Sequence, residues 1–177
     1  YQNMKMQASS CKACAPISRR YNDMPRELNL KFGFMIDQMA QEQHRIDLIA
    51  ALAKMEIERG EKVMVLVARI DYADDVYMSM QRLGLNAQRF AGSDRTYRNC
   101  DCLVGTIPKM GTGTDESTIC ADFDGKSSRI LILATTVKSK PLFTQILGRI
   151  RDSNVRVYDI VDKVVNGSTF TTHFRER

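Results

Sequence analysis

Gln145, Gly148, Arg149 and Arg151 stand close together in Phe143-Thr-Gln-Ile-Leu-Gly-Arg-Ile-Arg-Asp-Ser-Asn154, directly after the apolar, strand-like run Ile130-Leu-Ile-Leu-Ala-Thr-Thr136. A core helix has little use for this composition. Glycine lowers helix stability, and arginine is rarely fully buried unless an anion or acid meets it. On a helix Gln145 and Arg149 share a face one turn apart, with Gly148 beside them leaving room for a ligand to approach. A guanidinium is always charged and donates in a fork, which suits a phosphate. Taken alone, Arg149 could equally be a surface ion-pair partner.

A second chemically capable stretch is Val104-Gly-Thr-Ile-Pro-Lys-Met-Gly-Thr-Gly-Thr-Asp115. Its glycines at 105, 111 and 113 would let backbone come close to a ligand, its threonines at 106, 112 and 114 offer hydroxyls, and Asp115 could accept from a ribose or hold an arginine. By itself it also reads as an ordinary surface loop.

The elements that must position these stretches are legible from periodicity. Ile46, Ile49, Ala50, Ala53 and Ile57 recur at helical spacing within 41–59, and Gly60 stands where a helix would be capped. Val63-Met-Val-Leu-Val-Ala68 is apolar without alternation, as a strand covered on both faces would be. Helical spacing returns over 71–83, ending at Gly84; short strands follow at 86–90 and 100–105, a strongly apolar one at 128–134, the opening helix, and a last strand at 155–161. Strand and helix alternate, which requires crossover connections and predicts an α/β fold, a parallel sheet flanked by helices on both faces. In such sheets ligands bind at the carboxyl ends of the strands, where both stretches fall.

At 177 residues the chain suits one domain with an appendage. Residues 1–40 are mixed and weakly periodic and read as a linker or insertion, 41–162 as the domain, and 163–177, ending in "HFRER", as an extension. The first residue is Tyr1, which reads as a piece of a longer polypeptide. There is no apolar run long enough for a membrane span and no secretory signal pattern, so the expectation is an intracellular protein without a membrane partner. The five cysteines then read as reduced thiols. Cys11 and Cys14 form half of a zinc site, whose other half would be Cys100 with Cys102, or His44. With no secretory signal and no complete ligand set legible, free thiols are expected here rather than metal. The net charge of +5 is compatible with nucleic-acid binding but decides little. The methionines, Met78 among them, read as packing.

The motifs together resemble a known family. "VGTIPKMGTGTDE" after one strand and "QILGRIR" after another resemble motifs V and VI of superfamily-2 helicases, and "VMVLVARIDYADDVYMSM" resembles their motif IV. All three belong to the second of the two RecA-like domains in that family. The resemblance covers about residues 40–165, and "LGRI", "VYDIVDKVV" and "HFRER" are most similar to the poxvirus transcript-release type of DNA helicase and related enzymes of large DNA viruses. For a viral chain it implies host cytoplasm or virion. It implies a RecA-like three-layer domain, with ATP and Mg held mainly by the N-terminal RecA-like domain. Arg149 would be an arginine finger, with Arg151 and Gln145 as further catalytic residues, and Gly113, Asp115 and Gly148 would line the nucleotide. Arg69, Gly92, Ser93, Thr106 and Lys109 would face the backbone of DNA, or of RNA.

The family pattern places its second arginine seven residues after the glutamine, where this chain has Asp152. Arg151 comes one step early and on a continuous helix points roughly 120° away from Gln145, so it can serve only if the helix ends there. No phosphate-binding Gly-x-x-x-x-Gly-Lys-Ser/Thr loop and no Asp-Glu-x-His/Asp box occurs. The fragment alone is therefore expected to be inactive as an ATPase. The rival readings are a non-catalytic α/β module that binds nucleic acid or protein, and a self-contained nucleotide enzyme, which the missing phosphate loop disfavours.

Overall fold

The computed structural model describes residues 40–110, 115–135, 137, 139–150 and 154–160. Cys11, Cys14, Gly113, Arg151 and the segments 1–39 and 161–177 lie outside the described residues. The elements in order are α1 (Gln43–Ile57), β1 (Val63–Val67), α2 (Ile70–Arg82), β2 (Ala87–Phe90), β3 (Cys102–Thr106), α3 (Ile107–Met110), α4 (Glu116–Ile119), β4 (Ile130–Leu133), α5 (Lys140–Arg149) and β5 (Arg156–Asp159). All strand pairs are parallel, in the order β2-β3-β1-β4-β5.

The unalternating apolar strands are buried along their length, five of five residues in β1 and β3 and four of four in β4, which is possible only with both sheet faces covered. Alternate side chains divide the core in two. Val63, Val65, Val67, Val104 and Ile132 pack with Ile46 and Ile49 of α1 and Val76 and Met80 of α2. Met64, Leu66, Leu103 and Leu133 pack on the other face with Met110 of α3 and Ile146 and Ile150 around α5. The expected three layers are therefore present. Cys102 belongs to the first cluster and Cys100 to the second; on one strand residues i and i+2 would share a face, so the pair is divided because Cys100 precedes β3, which corrects its reading as part of the strand. Met78 corrects the packing expectation, since it is 58% exposed on the outer side of α2. No described helix is long and apolar enough to cross a membrane.

Where the strands begin, Glu56 is completely buried at the end of α1. One carboxylate oxygen accepts from Arg59 at 2.7 Å and from the Tyr158 hydroxyl at 2.5 Å, and the other from Arg156 at 2.5 Å. Nearby, the Lys62 ammonium donates to Asn99 at 2.5 Å, Asp124 at 2.8 Å and the Lys126 carbonyl at 3.2 Å, joining the segments that lead into β1, β3 and β4. That hydrogen bond from Lys62 holds the Asp124 carboxyl below the usual range.

Candidate functional site

The connections leaving β1 and β3 go to opposite faces of the sheet, because α2 packs in the first cluster and α3 in the second. Neighbouring strands whose connections diverge leave a crevice at their carboxyl ends. Here it is an open groove of about 1060 Å³, lined in part by Arg69, Ile70, Asp74, Gly92, Thr106 and Lys109. The register explains the assembly. Val67 pairs with Thr106 and Phe90 with Gly105, so the three strands end level and deliver Arg69, Gly92 and Thr106 to one place. Four of the five residues expected to face a nucleic-acid backbone are thus brought together. Ser93 is exposed in the adjoining turn and does not line the groove.

Each lining residue has a local reason for its position. Arg69 is extended (φ −125°, ψ 155°) and caps α2, and the first-turn Asp71 accepts from the Tyr72 amide at 2.9 Å. Lys109 donates to the Gly92 carbonyl at 3.0 Å, and its ammonium lies 5.0 Å from the Phe90 ring centroid, a cation–π distance. Gly92 has φ +59°, a left-handed conformation that a side chain disfavours. Gly105 has a different role from the one expected. A Cβ there would lie 2.6 Å from Met110 Cγ and 3.2 Å from the Phe90 carbonyl, so the chain's own α3, rather than a ligand, takes the space. Asp74 contributes an acid to the rim and is ion-paired with Arg89, which also meets Asp94 at 2.8 Å.

The other half of the edge follows β4. Ser139 caps α5, accepting from the Leu142 amide at 3.4 Å, and a proline stands in the first turn, where its missing N–H costs nothing. Ile146 and Ile150 are buried against the sheet, while Gln145 and Gly148 are exposed. A Cβ on Gly148 would meet nothing within 4 Å, so no internal packing requires glycine there. The helix ends at Arg149, and Ile150 is extended (φ −79°, ψ 94°). Asp115 caps the short α4, accepting from the Ser117 amide at 3.1 Å and its hydroxyl at 2.9 Å.

Two contributors escape sequence reasoning. Arg45 is buried in the first turn of α1, donating to the Tyr72 hydroxyl at 2.9 Å and to the Ala134 carbonyl at 2.7 Å, and so joins α2 to the end of β4. Glu116 is buried after the Gly-rich stretch and accepts from the Ser128 amide at 2.8 Å, anchoring the entry to β4. The sequence signal for Arg45 is a charge on an otherwise apolar helical face, and Glu116 carries none. Cys100, Cys102 and Cys120 are buried free thiols. Burial, helped by Cys120 nearby, pushes the Cys100 thiol up to about 12, and burial also raises Cys102 and Cys120. Such thiols are poor nucleophiles and poor ligands at neutral pH. Among the described residues no three His, Cys, Asp or Glu side chains are grouped to hold a metal.

The parallel sheet with helices on both faces is a RecA-like fold, and the comparisons agree with the motif resemblance. In sequence, the chain is similar to "Putative helicase 161L" of Invertebrate iridescent virus 6, 26% identical over 172 residues. The match takes in 84% of this chain but only 35% of the relative. In structure it is similar to T4 UvsW (TM-score 0.64, 14% identity, 83% of this chain and 30% of that one). It is also similar to the C-terminal part of the Fun30 ATPase domain (0.58, 14%, 92% and 52%) and to the Pyrococcus furiosus Hef helicase domain (0.54, 17%, 95% and 35%). No family model matches.

Proposed function

We propose that this chain is the C-terminal motor domain of an ATP-dependent superfamily-2 DNA helicase or translocase, related to those of large DNA viruses. It would supply motif VI and part of the nucleic-acid track to a neighbouring RecA-like domain. The observation that carries the reading is the convergence of Arg69, Gly92, Thr106 and Lys109 on one groove at the sheet edge from which α5 also starts. A groove with cations from two elements suits a phosphate backbone, which is recognised with little base specificity and strong salt dependence.

The α5 face fits a nucleotide shared with another domain, since Gln145 is exposed and the space beside Gly148 is open. ATP with Mg, when bound, supplies the phosphoryl group whose transfer drives the motor. In this chain Arg149 would donate to the phosphate oxygens as charge develops, Gln145 would orient the helix against the nucleotide, and Gly148 would let the phosphates come close. Asp115, with Gly113, would stand at the sugar side. An arginine in that role contributes about 10³- to 10⁵-fold in rate in related phosphoryl transfers.

The test is nucleic-acid-stimulated ATPase activity of the full-length protein and its Arg149→Ala variant, beside the present 177 residues alone. Stimulated turnover, its collapse in the variant and silence of the fragment are the expected results. Unchanged turnover in the variant would remove the finger, and a full-length protein with no turnover would leave the non-catalytic binding module.

A further inference from the structure

We infer that Ile70 is a nucleic-acid contact residue, an apolar ledge that takes the sugar or base surface of a nucleotide whose phosphates lie on the Arg69 and Lys109 cations. This rests on the groove's being the nucleic-acid track and names a contact within it. Ile70 is 47% exposed, and Met78 and Leu83 are the other large hydrophobic residues exposed among those described. A single exposed aliphatic side chain is ordinary on a protein surface. Ile70 differs from the other two because it alone lines the groove.

Its position is also held. Ile70 opens α2, and its Cδ1 lies 3.4 Å from where a Cβ of Gly92 would be, so the missing side chain at Gly92 gives Ile70 a backbone surface to lean on. The Gly92 carbonyl that accepts from Lys109 belongs to the same turn, and Arg69 is the preceding residue. The ledge thus shares one concavity with the cations of Arg69 and Lys109 and the carboxylates of Asp71 and Asp74. Apolar surface beside cations suits a polynucleotide strand, which presents charged phosphates and the less polar faces of its sugars and bases in turn. An apolar contact of this kind adds affinity without selecting a base, because every nucleotide offers such a face.

The measurement is fluorescence anisotropy of the full-length protein on a labelled oligothymidylate about twenty nucleotides long, over a range of salt concentrations. Ile70→Ala is expected to weaken binding about fourfold to fifteenfold, the size of roughly one to two methylenes of lost apolar burial. The slope of log affinity against log salt should not change, because every cation stays in place. Ile70→Leu should recover most of the affinity, and Ile70→Gln should behave like Ile70→Ala while melting at the native temperature. Native-like binding by Ile70→Ala and Ile70→Gln would overturn the inference, and so would weaker binding accompanied by a flatter slope. Arg69→Ala separates the ledge from the track. If it flattens the slope while Ile70→Ala does nothing, only the ledge fails. If it leaves affinity and slope unchanged, the groove is not the track.

Discussion

Glu56 and Lys109 stand at opposite ends of one parallel sheet and are used differently. At the edge where the strands begin, Glu56 is fully buried and both its oxygens are occupied by side chains of β5 and the end of α1. Lys62 likewise closes on Asn99, Asp124 and a carbonyl. At the edge where the strands end, Arg69, Thr106 and Lys109 line an open groove, and α5 presents Gln145 and Gly148 outward. Charges that close on one another hold elements together. Charges that line a concavity can hold elements as well, as Lys109 does through the Gly92 carbonyl, and still face the open groove. The comparison therefore separates a structural edge from a candidate binding edge within one core.

The largest effect should come from the structural edge. Glu56→Ala leaves the Tyr158 hydroxyl without its acceptor and Arg156 without its counter-charge, and is expected to cost about 2–4 kcal/mol in denaturant unfolding. Nucleic-acid affinity of the folded fraction should be unchanged. If the variant were as stable as the parent but bound nucleic acid poorly, the division between the edges would fail.

Gly105→Ala tests how far the binding edge depends on packing beneath it. The new methyl collides with Met110 Cγ and crowds the Phe90 carbonyl, an overpacking expected to cost about 1–3 kcal/mol. Because α3 must shift to relieve it, Lys109 moves with it, and binding should weaken together with stability. Binding that stayed native while stability fell would show that α3 is not what aims Lys109.

These two positions also mark what could be read from sequence. The strands were legible because a run such as Ile130-Leu-Ile-Leu133, apolar at every position, needs cover on both faces, and the helices because their buried residues recur at three and four. Boundaries moved where long-range pairing decides them. The third strand starts at Cys102 rather than Cys100, in register with Val63, whose amide donates to the Asp101 carbonyl at 2.8 Å. Strand order could not be read, since nothing local says that β3 inserts between β2 and β1. Arg69 and Thr106 were named as nucleic-acid contacts through the motif resemblance, and the parallel sheet explains why they meet, since its strand ends fall on one edge. Glu56, Arg45 and Ile70 were not. A charge on a helix reads as solvent-exposed until its partner is known, and Arg156 lies 100 residues from Glu56. Ile70 had the opposite disguise, an aliphatic residue that counts as core until its exposure is seen.

At the binding edge, Arg69→Ala combined with Lys109→Ala is expected to lower the salt slope of single-strand binding by about 1.4, roughly 0.7 for each phosphate no longer neutralised. Stability should fall by about 1–2 kcal/mol, because Lys109 loses both its hydrogen bond to the Gly92 carbonyl and its cation–π contact with Phe90. A large fall in melting temperature with an unchanged slope would assign these cations to structure and make the two edges alike.

The smallest effect belongs to the exposed margin of the structural edge. Asp124 has its carboxyl held below the ordinary 3.8 by the hydrogen bond from Lys62. A depressed carboxyl binds fewer protons in the folded state than in the unfolded one, so its contribution is complete above the ordinary carboxylate range and disappears as pH falls below it. Asp124→Asn should therefore melt slightly below the parent at neutral pH, and the gap should close as the solution is acidified, until both melt together. Because the Asp124 side chain is 37% exposed, added salt should narrow the neutral-pH gap as well. Glu56→Ala, whose partners are held around a fully buried carboxylate, should keep its deficit in salt. A salt-insensitive gap at Asp124 would mean that Lys62 acts there through hydrogen-bond geometry rather than charge, and the two clusters of this edge would then work in the same way.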